Sequence, residues 1–130
     1  CPELVNDEHN IPFLWREESN SKLAAWRLVN YWEYKYKLFG TPKCFLPLSL
    51  DLIQDDLDVY FRGIVVLLPV KDKMGRGILY TTTRYHDSSQ YPTESLARVF
   101  WYMFHVACED PAVQELGCII MADVRNAGLK

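Results

Sequence analysis

The sequence predicts a mixed α/β fold: a β-sheet with helices packed against it, preceded by part of a small helical region. Three observations carry this expectation. Short apolar, β-branched runs occur at GIVVLLP (63–69), ILYTTT (78–83) and CIIMA (118–122). Between the second and third run lies a helix-length segment whose apolar residues recur with a helical period. A long amphipathic helix is legible before any strand signal, which separates a helical start from the sheet-forming remainder.

Residues 1–20 read as irregular, with IPFLWREE (11–18) supplying a single helical turn. Ser21 then reads as the N-cap of a helix that reaches Phe39 and is closed by Gly40 and Pro42. At 100° per residue, Ala25, Leu28, Val29, Trp32, Tyr36 and Phe39 fall on one face, expected to be core. Arg27, Asn30, Glu33 and Lys37 fall opposite, with Glu33 and Lys37 forming a favourable i,i+4 pair. A shorter helix is expected from Ser49 to about Phe61. Leu50, Ile53, Leu57 and Phe61 share its apolar face, and Asp51, Asp55 and Asp58 its solvated one. This acidic run lacks the glycine and terminal glutamate of a calcium-binding EF-hand loop.

The period then shortens. GIVVLLP and ILYTTT flank a charged turn, VKDKMGRG, whose Gly75 and Gly77 permit a tight connection, so the pair reads as an antiparallel hairpin. Lys71, Lys73 and Arg76 read as exposed charges at its tip. CIIMA is apolar at every position, the pattern of a strand in the middle of a sheet covered on both sides. The helix before it, about Thr93 to Glu109, has a narrow polar strip of Glu94, Arg98, His105 and Glu109, with Trp101 among them. The rest of its circumference is apolar, which implies contact on more than one side. Asp110 and Pro111 restart a short helix as cap and first residue, and Gly117 stops it. Strand, helix, strand is a crossover unit, expected to be parallel.

The chain has 130 residues, 49% of them hydrophobic, and a formal charge of −3. That length can bury a real core. The mildly acidic balance gives no electrostatic reason to expect nucleic acid. No leader follows Cys1 and no run of 18 apolar residues occurs, so secretion and membrane spanning lack support. Cys1, Cys44, Cys108 and Cys118 are scattered and form no C-x-x-C pair. They read as reduced thiols, and the expected setting is cytoplasmic. No metal site and no cofactor are expected, since His9, His86 and His105 are not spaced as ligands. The nucleophile-elbow, zinc-protease and phosphate-loop motifs are absent, and GRG (75–77) opens a strand where a phosphate loop would open a helix. Adjacent His86 and Asp87 rarely face one target. Asp123 either marks a ligand site at a strand's C-terminal end or caps the turn that follows.

DKMGRGILY followed by RYHD, the aromatic-rich helix, EDPAVQELG and CIIMADV together resemble the CRAL-TRIO lipid-binding family. Asp72, Gly75 and Arg76 match the family's hairpin, Gln114 and Gly117 its pre-strand segment, and Asp123 its strand end. FLWREESNSKLAAWRLVNYWEY resembles the end of the small helical domain that precedes the lipid-binding fold. Gly77, where the family has proline, and Asn126, where glycine is common, depart from the pattern. The resemblance implies residues 1–45 as the end of the helical region and 46–130 as the first half of a lipid-binding domain. On that basis the chain is expected to be a fragment whose gate helix and phosphoinositide-binding residues lie beyond Lys130. It further implies a non-enzymatic protein that binds and transfers a hydrophobic small molecule or lipid inside the cell. A monomer is expected, compatible with peripheral membrane contact. The alternative is an interaction or regulatory module that uses the same fold without ligand. The candidate pocket lining is Tyr80, Thr82, Phe100, Met103, Phe104, Cys118, Ile120 and Ala122, with the pocket's sheet face left open.

Overall fold

The computed structural model describes residues 6–82, 84 and 89–125. The fold is mixed α/β, with five α-helices and a three-stranded sheet among the described residues. It divides into two compact units, residues 1–47 and 48–130.

The first unit is helical. Helix α1 spans Asp7–Arg16 and α2 spans Ser21–Phe39. A full helix therefore replaces the single turn expected at 11–18. Pro12 interrupts its pattern and hides it from a periodicity reading. The helix persists because the Asn6 side chain accepts from the His9 amide at 2.8 Å and Asp7 and Glu8 complement its positive end. The rings of His9 and Phe13 also meet Tyr31 of α2 edge-on, at centroid distances of 5.6 and 5.5 Å. The N-cap of α2 is Asn20, not Ser21: its side chain accepts from the Leu23 amide. The buried face of α2 is also rotated from the expected one. Ala24, Lys35 and Phe39 are buried, whereas Ala25, Val29 and Tyr36 are exposed. The stripe through Ala24, Leu28, Tyr31 and Lys35 is the one that meets α1 and the 3-10 turn Lys43–Phe45.

The second unit opens with a 3-10 helix, Leu50–Asp56, that passes into the short α3, Leu57–Phe61. The tighter winding moves the buried face away from the expected α-helical one. Leu52, Ile53, Asp56 and Val59 are buried, while Leu50 and Phe61 are exposed. Strands β1 (Val65–Lys71) and β2 (Gly77–Thr82) form the expected antiparallel hairpin, and β3 (Cys118–Asp123) lies parallel to β2. The order is β1-β2-β3, so β2, not β3, is the central strand among the described residues. Ile120 and Met121 of β3 are 54% and 50% exposed, which corrects the expectation that this strand is covered on both faces. Pairing of β1 with β2 slips between Leu67 and Lys71. Pro69 lies in that stretch and has no amide proton to give the ladder.

The crossover holds α4 (Thr93–Ala107) and α5 (Pro111–Leu116). Asp110 caps α5 as expected, its carboxylate accepting from the Ala112 amide at 2.9 Å. One stripe of α4, with Ser95, Val99, Met103 and Ala107 at four-residue steps, is buried. The helix packs on β1, β2 and the 3-10 segment, but Phe104 remains 42% exposed. Its wide apolar surface is therefore not covered all round. Among the described residues, no helix is long and apolar enough to cross a membrane.

Candidate functional site

The strand register sorts side chains onto two sheet faces. Leu67, Leu79 and Ile120 are paired across the three strands, as are Val65, Thr81 and Ala122, and Gly77 is paired with Cys118. These residues share one face. Val66, Tyr80 and Met121 share the other, with Ile78 opposite Ile119 and Thr82 opposite Asp123. Gly77 and Leu79 are buried while Ile78 and Tyr80 between and beside them are half-buried, so the Leu79 face is the one α4 covers. Near its lower end, a Cβ on Gly77 would lie 3.0 Å from Val113 Cγ2 and 3.6 Å from Cys118 Sγ. Only glycine lets α5 approach the sheet this closely.

The eight candidate pocket residues do not form a single lining. Cys118, Ile120 and Ala122 belong to the helix-covered face, yet Ile120 and Ala122 extend past α4 and are exposed. Met103 is buried in the α4 stripe, Phe100 is half-buried and Phe104 is open. Tyr80 and Thr82 lie on the opposite face, so the thickness of the sheet separates them from the cysteine strand face. The structure thus groups Phe100, Met103, Phe104, Cys118, Ile120 and Ala122 on one side and Tyr80 and Thr82 on the other.

On the second face, the C-terminal ends of β2 and β3 hold a polar cluster. The Tyr80 hydroxyl donates to Asp123 Oδ2 at 3.2 Å. Arg125 grips the same carboxylate with Nε and Nη2, at 2.9 Å to Oδ1 and 2.7 Å to Oδ2, and its amide donates to Oδ1 at 3.1 Å. The Arg125 hydrogen bonds, helped by Tyr80, hold the Asp123 carboxyl well below the usual carboxylate range. Of the two roles open to Asp123, the structure displays the turn cap. Thr82 Oγ1 accepts from the Arg84 amide nearby.

The hairpin tip is organised by Asp72. Its Oδ1 accepts from the amides of Met74 and Arg76, and its Oδ2 from Arg76 Nε at 2.8 Å. Gly75 holds φ +83°, which lets its amide return to the Asp72 carbonyl at 3.0 Å. Asp72, Gly75 and Arg76, three residues behind the family resemblance, are therefore the parts of one turn. Lys71 reaches Asp110 at 2.5 Å, so two of the three tip cations already have carboxylate partners.

Sequence reasoning missed one pair entirely. Asp56 is 2% exposed, and Arg98 meets it through Nε and Nη2 at 2.7 Å each. Nothing local signals it, since Asp56 sits in an acidic run and Arg98 in a polar strip. Asp51, Asp55 and Asp58 are exposed as expected. Among the described residues, no group of three or more His, Cys, Asp or Glu side chains is placed to hold a metal. A surface depression is lined by Asp58, Phe61, Arg62 and Tyr91 and contains none of the eight candidates. His86 and Asp87 lie outside the described residues. In comparisons with known proteins, no family model matches the chain and no curated protein matches it.

Proposed function

We propose that this protein binds a hydrophobic small molecule or lipid without catalysing a reaction, and transfers it within the cell. The observation that carries the reading is β3. Its apolar side chains point to both sides of the sheet, yet Ile120 and Met121 are about half exposed. Phe104 of α4 is open as well. Apolar surface of this kind with few convergent polar groups suits a ligand that has little to hydrogen-bond. The resemblance of the Asp72–Arg76 turn, the EDPAVQELG segment and CIIMADV to CRAL-TRIO proteins supports the same reading.

The test is lipid extraction and mass spectrometry on the protein purified from cells, with one bound lipid or isoprenoid-like molecule per chain expected. Extracts free of such molecules, from well-folded protein, would overturn it. A second reading is an interaction module without ligand. It is favoured by the position of β3 at the edge of the described sheet, where an extended segment of another protein can add as a strand. A ligand-free protein that co-purifies stoichiometrically with such a partner would select it.

A further inference from the structure

Two thiols, Cys108 and the candidate lining residue Cys118, occupy the same end of the sheet. Because β3 runs parallel to β2, the crossover must carry the chain back to the starting end of β2 before β3 begins. Cys108 is the C-cap of α4 and Cys118 is the first residue of β3. The C-terminus of the helix and the N-terminus of the strand are thereby brought to one end.

The Cys118 side chain points into the helix-covered layer. Cys118 is paired with Gly77 on the helix-covered face, and its Sγ sits 3.6 Å from where a Gly77 Cβ would be. Val113 of α5 reaches the same spot at 3.0 Å. The Gln114 side chain in turn donates to the Cys108 carbonyl at 2.7 Å, which fixes α5 against the end of α4. The short α5 thus bridges the two cysteines, both of them half-buried free thiols. Burial and the neighbouring Cys118 thiol push the Cys108 thiol up, consistent with a reduced, protonated resting state.

We infer that Cys108 and Cys118 are a redox pair that a low-molecular-weight disulfide converts to an internal disulfide, fastening the end of α4 to the start of β3. In the step, one cysteine thiolate attacks the oxidant's S–S bond and releases one thiol. The second cysteine thiolate then attacks the mixed disulfide, closes the internal S–S bond and releases the other thiol. The protein loses two hydrogens and two electrons, and the oxidant becomes two thiols. The bond would hold α4 beside β3, next to the open Ile120 and Ala122. This inference does not depend on the nature of any ligand.

The experiment uses the full chain with Cys44→Ser, incubated with oxidised glutathione and then alkylated. Trypsin releases residues 99–125 as one peptide, because no lysine or arginine lies between Arg98 and Arg125. That peptide should lose two hydrogens and both alkylation sites. Cleavage after Glu109 or Glu115 should leave its halves joined until a reductant is added. Cys118→Ser should abolish the join and leave Cys108 alkylated or glutathionylated. The inference fails if folded protein keeps both thiols alkylatable under conditions where urea-unfolded chain oxidises. It fails equally if each cysteine takes up glutathione without joining the other.

Discussion

Asp56 and Arg98 stand 42 positions apart in the chain and meet in a two-pronged ion pair, with both nitrogen–oxygen distances 2.7 Å. The carboxylate is almost wholly buried and the guanidinium side chain is 24% exposed. Arg98 Nη2 also donates to the Ser95 hydroxyl at 3.2 Å. The pair ties the 3-10 segment to α4, and hydrogen bonding to Asp56 holds the guanidinium more firmly charged than usual. Its planar fork satisfies both carboxylate oxygens at once, which a lysine cannot do.

Breaking this pair from one side should be costly. Arg98→Met leaves the Asp56 carboxylate buried without its partner, with an expected loss of about 3 kcal/mol in urea unfolding. The double variant Asp56→Leu/Arg98→Met should recover much of that loss, because no charge is then stranded. A double variant no more stable than the single one would show that the pair contributes by geometry beyond charge compensation.

Gly77 gives a steric prediction. Its backbone needs no left-handed angle, so Gly77→Ala tests space alone. The new Cβ meets Val113 at 3.0 Å, and α5 or the strand must yield. The expected cost is about 1–3 kcal/mol, with partial recovery in Gly77→Ala/Val113→Ala. Thermal melts of the two singles and the double measure the coupling. An additive cycle would mean that α5 moves freely from the sheet.

Lys35 is 4% exposed. Its Nζ donates to the Leu46 carbonyl at 2.9 Å and lies 4.9 Å from the Trp32 ring centroid. Burial pulls its pKa down, partly offset by Cys44. The unfolded chain therefore binds the proton more tightly. Stability should rise as pH climbs from the depressed folded value through the ordinary lysine value of about 10.4. Lys35→Met should abolish that rise and change stability at neutral pH by no more than about 1 kcal/mol. Urea midpoints followed across the alkaline range by tryptophan fluorescence, in a Cys44→Ser background, make the comparison. Parallel pH profiles for the chains with and without Lys35→Met would refute it.

Ile120 separates folding from binding. A strand covered on both faces would make Ile120→Asp severely destabilising, but this side chain is 54% exposed. The expected stability cost is below about 1 kcal/mol. If β3 contributes to an apolar site, the same variant should lose most of its bound lipid while melting as wild type does. A large drop in melting temperature would show that Ile120 is covered in the folded protein. Unchanged lipid content would remove it from the site.

The sequence by itself determined the mixed α/β class, the hairpin, the crossover helix and the start and stop of α5. Those features depend on short-range chemistry: the period of apolar residues, the Asp110 cap, the proline after it and the glycines at turns. It also determined that the run CIIMA (118–122) is apolar at every position, but not that β3 would lie at an edge. Strand order depends on which strands pair, and a run of five apolar residues carries no record of its neighbours. Tertiary structure likewise decided that α2 buries Lys35 in place of Tyr36, because the position of α1 and the Lys43–Phe45 turn selects the face. It decided that Tyr80 and Thr82 stand across the sheet from Cys118, Ile120 and Ala122, since alternation along each strand fixes faces only relative to that strand. Inter-strand register joins those faces, and register is set by hydrogen bonds between segments some forty residues apart. The Asp56–Arg98 pair was hidden for the same reason. Two ordinary surface charges become a buried ion pair only when the fold places a 3-10 segment against α4.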